Sequence, residues 1–146
     1  MKINHETQRT PYDCGVACVA MISDIPYEKI KEQHGKEGMR CEELDEILAW
    51  CGIKFERQMY NHLAPEEVYI VVVPSLNVQG GTHYIVIDTR EESLQEADGY
   101  DPDKELPEGA DMWLSCFDPN TGREGALSYG FDVKLQSWMS VVRIIM

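Results

Sequence analysis

Apolar positions recur at helical spacing through the first third of the chain and at strand spacing afterwards. Behind the polar approach Gln8-Arg9-Thr10-Pro11-Tyr12-Asp13, the residues Val16, Val19 and Ala20 predict a helix from about Cys14 to Ser23. Pro26 disfavours helix in the residue before it and can open a second helix over Tyr27 to His34, which Gly35 stops. Leu44, Ile47, Leu48 and Cys51 share one face of a third helix over Cys41 to Trp50; acids crowd its first turn and Gly52 caps its end. The period then changes. Ile53 to Met59 reads as a strand, and Val68 to Val73, ended by Pro74, reads as a buried central one. Gly80-Gly81 predicts a turn before a third strand, His83 to Asp88. Trp113 to Phe117 is a fourth, followed by the turn sequence Asp118-Pro119-Asn120-Thr121-Gly122. A short helix over Val133 to Met139 and a last strand, Val141 to Ile145, complete the pattern. Helices first and strands afterwards predict an α+β fold, N-terminal helices packed on an antiparallel sheet.

Between residues 89 and 111 acidic side chains outnumber Arg90 and Lys104, and Pro102 and Pro107 discourage regular structure, so an extended loop or partly mobile flap is expected, a solvated surface loop or else a lid or partner-docking element. The 146 residues suit a single domain with a sizeable core, and 43% apolar composition argues against disorder. A formal charge of -13 argues against nucleic acid and anionic membrane surfaces as partners. No apolar run approaches the ~20 residues that cross a bilayer, and Met1-Lys2-Ile3-Asn4-His5-Glu6 is too polar for a signal peptide; a cytoplasmic chain is expected. Five cysteines form no dense framework and point to reduced thiols.

Candidate chemistry gathers at Cys14. A cysteine that opens a helix meets unpaired backbone N–H groups and the positive dipole end, both of which favour a thiolate. Gly15 leaves room for a substrate beside the sulfur, and Gln8 carries an amide that can serve as an oxyanion donor if the chain folds back. Of the four histidines, His34 closes an exposed helix, His5 lies near a mobile terminus and His62 sits in a connection. His83 begins an apolar strand, where the sheet would hold its ring at the mouth of a cleft. Asp118 is the candidate to orient that ring, although the stretch Asp118-Pro119-Asn120-Thr121-Gly122 standing alone reads better as turn chemistry.

The grouping Gln8, Asp13-Cys14-Gly15, Ala17-Cys18 and Met21 resembles the bacteriocin-processing, double-glycine leader peptidases, a branch of the papain-like cysteine proteases. The resemblance implies a papain-like fold with Cys14 as nucleophile, Gln8 in the oxyanion hole, His83 as base and Asp118 as its partner. In that family the base stands in a Gly-His-aromatic pattern, from which Thr82 is a small departure, and the third residue stands in an Asp-Pro element after the next strand, which Asp118 matches with Asn120 as the fallback. Trp138 fits a C-terminal aromatic position, and the span from His83 to Asp118 implies an acidic insertion at 89–111. A peptide or protein substrate follows, with no cofactor and no metal. Cys14 and Cys18, four residues apart, could reach one zinc ion, yet no second ligand pair follows them. Two other readings keep the fold: an acyltransferase or amidase with the same residues, and a binding module without catalysis.

Overall fold

The structure is a computed structural model that describes residues 1–58, 63–74, 81–97, 100–106, 112–120 and 140–146, and the backbone of 127–130. Among the described residues there are four helices and six strands. The helices are α1 (Cys14–Ser23), α2 (Tyr27–His34), α3 (Cys41–Trp50) and α4 (Glu91–Glu96). The strands are β1 (Lys54–Gln58), β2 (Val68–Pro74), β3 (Thr82–Asp88), β4 (Trp113–Phe117), β5 (Leu127–Gly130) and β6 (Ser140–Ile145). All strand pairs are antiparallel and the order is β1-β6-β2-β3-β4-β5. The α+β architecture expected from the period change is therefore present.

Alternation along the central strands sorts the core into two layers. Val68, Ile70 and Val72 of β2, with Tyr84 and Val86 of β3, face the layer that holds α1, α2 and α3. Tyr69 and Val71, with Ile85 and Ile87, join Leu114, Cys116 and Leu63 on the opposite face. With both faces covered, β2 has the near-continuous apolar sequence of a buried strand.

Helix α1 is buried from Cys14 through Ile22, on every side. Such a helix is central rather than amphipathic: it lies on β3 with α2 and α3 packed around it. Asp24, the residue that caps its C-terminus, takes a left-handed conformation before Pro26. Gly35 does the same after α2, where its N–H reaches the Lys31 carbonyl.

Two stretches depart from the sequence reading. Residues 91–96, expected within an extended loop, form α4; Leu94 is buried while the remaining side chains are polar. Arg90 is buried as well, because Asp88 at the end of β3 receives its guanidinium through bonds of 3.0 and 2.8 Å. Strand β5 was not expected, since Leu127-Ser128-Tyr129-Gly130 has too little apolar content to show a period. The expected helix over Val133 to Met139 lies outside the described residues, as do His62, Gly80, Thr121, Gly122 and Trp138. Among the described residues no helix is long and apolar enough to cross a membrane.

Candidate active site

The N-terminus of α1 carries Cys14, 8% exposed, at the floor of a cleft of about 560 Å³. Asp13 occupies the N-cap position but makes no side-chain cap to the helix. Its carboxylate is committed elsewhere: Oδ2 accepts the Tyr27 hydroxyl at 2.5 Å and the Lys31 ammonium at 2.7 Å, both from α2. Burial alone would raise the Asp13 carboxyl, but Lys31 and Tyr27 outweigh it and hold it below its ordinary value. The leading N–H groups of α1 are thus left uncapped by Asp13, beside the sulfur. In the sequence Asp13 carries no signal of this role beyond its place beside Cys14, because its partners lie 14 and 18 residues away, on another helix.

That arrangement makes a stability prediction. Asp13→Ala leaves Tyr27 and Lys31 without their acceptor, and the cost is expected to be about 2 kcal/mol, since Lys31 remains partly in water. The carboxyl is lowered in the folded state, so its contribution is present above the unfolded carboxyl's range and is lost as pH falls through the folded value. Urea unfolding at pH 7 and at pH 3 should show the gap between the two proteins narrowing in acid.

His83 is the second residue of β3, paired with Val73 on β2. Its Nε2 meets Asp118 Oδ1 at 2.8 Å, directly after β4, which pairs with β3. The same Oδ1 accepts the Asn120 N–H at 2.9 Å. Burial works against charging the imidazole, yet the Asp118 carboxylate it bonds and the Cys14 side chain nearby prevail and lift His83 to about 9. The ring therefore lies between the sulfur and the carboxylate. Each of those side chains comes from a different element: α1, β3 and the turn after β4.

Gln8 reaches the same cleft by a different route. Its backbone N–H donates to the Pro119 carbonyl at 2.6 Å, and its side-chain Nε2 to the Thr10 carbonyl at 2.9 Å. A carbonyl only accepts, which fixes the orientation of the amide and leaves one N–H of Nε2 uncommitted by that bond. Gln8 is buried, and its Oε1 has no partner among the described residues.

The other walls come from Tyr12, Met39, Thr82 and Tyr84. The open approach expected beside Gly15 is filled: a Cβ there would lie 2.9 Å from Met39 Sδ and 3.3 Å from the Tyr84 ring. Tyr84 also donates its hydroxyl to the Met39 carbonyl at 2.8 Å, which holds that wall against the helix. Glycine at 15 serves close packing, not substrate access.

The other thiols differ from Cys14. Cys18 lies one turn behind it, fully buried, and burial pushes its thiol well above the ordinary value. Cys116 is buried and Cys41 and Cys51 are half-buried. Among the described residues no three His, Cys, Asp or Glu side chains cluster as metal ligands would.

His5 was expected at a mobile terminus. It is instead half-buried, and its Nε2 lies 2.7 Å from the Asp118 carbonyl. His34, expected on an exposed helix end, reaches the Gly38 carbonyl on the loop that leads to Met39.

A model of the Peptidase C39 family matches residues 2–96, well over half of the chain. The chain belongs to the Peptidase C39 family. This is the bacteriocin-processing group of papain-like cysteine proteases, as the grouping around Cys14 suggested. The C39 match spans Gln8, Cys14 and His83 and ends before Asp118. No curated protein matches the chain. Membership of the C39 family indicates a cysteine peptidase, and with it a peptide substrate.

Proposed function

We propose that this chain hydrolyses a peptide bond with Cys14 as nucleophile, His83 as acid and base, Asp118 as the group that orients His83, and Gln8 as an oxyanion donor, on a papain-like fold. The observation that carries the reading is the imidazole of His83, bonded at Nε2 to Asp118 and sharing its cleft with Cys14, whose side chain helps to raise its pKa. An imidazolium beside a sulfur favours the nucleophilic thiolate. The sulfur attacks the substrate carbonyl carbon, and the electron pair displaced onto oxygen is met by the Gln8 amide and the Cys14 backbone N–H. His83 passes its proton to the leaving nitrogen as the carbon–nitrogen bond breaks, giving an acyl thioester. Water then adds to that thioester while His83, now neutral, takes a proton from it; collapse frees the carboxylic acid and the thiol.

Asp118 holds the ring and stabilises its charged form during these steps. The Asp13 ion pair fixes the start of α1, and so the place of the sulfur, without touching the reaction.

The test combines labelling and turnover. Under limiting iodoacetamide, intact mass and peptide mapping should place the first adduct on Cys14, ahead of Cys18, Cys41, Cys51 and Cys116. A peptide mixture containing double-glycine sequences should be cut by the wild type and not by Cys14→Ala. Labelling without preference for Cys14 would overturn the reading in favour of a silent binding module. Product that forms only when an amine is supplied would replace hydrolysis with acyl transfer.

A further inference from the structure

The Asp118–Pro119 turn is held in part by the N-terminal segment. Pro119 has no N–H to donate; among the described residues the turn is anchored by the Asn120 N–H on Asp118 Oδ1 and through the two carbonyls of 118 and 119. Both carbonyls are taken by the N-terminal segment: His5 Nε2 lies 2.7 Å from the Asp118 oxygen, and the Gln8 N–H donates to Pro119 at 2.6 Å. That segment is itself fixed upstream, where Ile3 is buried in the helical layer and Arg90 donates to the Met1 carbonyl at 2.5 Å. The contact spans 113 residues of sequence and ends on the residue whose carboxylate bonds His83.

We propose that His5 is a positioning residue: the N–H at its Nε2, donated to the Asp118 carbonyl, fixes the turn after β4 so that the carboxylate stays in line with the His83 ring. A carbonyl accepts only, so Nε2 carries the hydrogen, and it does so in the Nε2 tautomer and in the imidazolium alike. The bond therefore survives protonation of His5. Without it the turn loses the anchor on its first carbonyl, and the peptide plane that carries the Asp118 side chain gains freedom to rotate. A misplacement on the order of 1 Å is enough to cost a catalytic site roughly a hundredfold.

The inference rests on the reading of Cys14, His83 and Asp118 as the reacting groups, and its test keeps the two apart. Two variants are compared with the wild type in the full chain. His5→Phe keeps a ring in the space and removes the donor; His5→Gln places an amide N–H where Nε2 stood. Among the described residues the titratable groups that act on His83 are Asp118 from the turn after β4 and Cys14 from α1. The readouts are the His83 transition, followed by NMR of the labelled imidazole, and the rate of Cys14 alkylation by iodoacetamide at pH 6.

In His5→Phe the His83 transition should fall by about one pH unit, with alkylation slowed roughly tenfold; His5→Gln should restore both. Lost packing would lower the melting temperature without moving either readout in the folded protein, and it would not be repaired by glutamine. Wild-type values in a folded His5→Phe protein, or failure of His5→Gln to restore them, overturn the inference. If His5→Phe does not fold, His5→Ala is read in the same way. If the wild type itself shows no preferential alkylation of Cys14 and no raised His83 transition, the triad reading fails and this inference with it.

Discussion

Replacing His83 with alanine is expected to slow iodoacetamide labelling of Cys14 at pH 6 by about a hundredfold and peptide hydrolysis by at least about a thousandfold. The two losses have separate causes. An ordinary thiol near pKa 8.5 is only about 0.3% ionised at pH 6, so labelling there reports the help given by the neighbouring imidazolium. Hydrolysis additionally loses the acid that protonates the leaving amine and the base that activates water, worth roughly 100- to 10,000-fold. Raising the pH to about 9.5 should restore most of the labelling rate and almost none of the hydrolysis. Stopped-flow labelling beside turnover of one peptide gives both numbers. Recovery of the two together would mean that His83 acts only on the ionisation of the sulfur.

Asp118→Asn should shift the pH profile rather than abolish it. Burial opposes the charge on His83, and the Asp118 carboxylate is the first of the groups that overcome it. With an amide in its place, the alkaline limb of turnover should move down from about 9 toward the ordinary histidine value near 6.5. At pH 8 the variant would then hold a largely neutral imidazole, with a loss of roughly a hundredfold or more. Stability follows the same group with a definite sign. The folded value of His83 lies above the unfolded one, so its contribution is complete below about 6.5 and disappears as pH rises through about 9. Wild type and variant should differ most in stability near pH 6 and converge above pH 9. A gap that widens in alkali would contradict the pairing.

The legible part of the fold was the part decided locally. The ends of α1, α2 and α3 agree with the sequence reading because Pro26, Gly35 and Gly52 punctuate the chain there. Strand β2 announced itself as an unbroken apolar run. Helix α4 did not, because Leu94 is its one apolar side chain and Pro102 and Pro107 colour the surroundings. Around the site, Cys14, His83, Asp118 and Gln8 were singled out by residue type and by motif, and the structure brings them to one cleft or its rim. What stayed hidden is what depends on distant partners. Asp13 needs α2 folded beside it before its carboxylate has a use. His5 looked free because its partner is a backbone carbonyl at the far end of β4, and a carbonyl has no sequence signature. Gly15 was read with the right logic, a place where a Cβ does not fit, but the neighbour it admits is Met39.

The order of the strands bears on how this protein is made. β6 sits between β1 and β2, bonded to both, and among the described residues β1 has no other neighbour in the sheet. A growing chain on the ribosome has therefore released Cys14, His83 and Asp118 well before the strand that closes the sheet emerges. Until then β1 lacks its β6 partner and one edge of β2 is open, and such unpaired edges are where association with other chains is expected. Most of the closing contacts join residues far apart in the chain, which makes this step slow in comparison with formation of the three N-terminal helices.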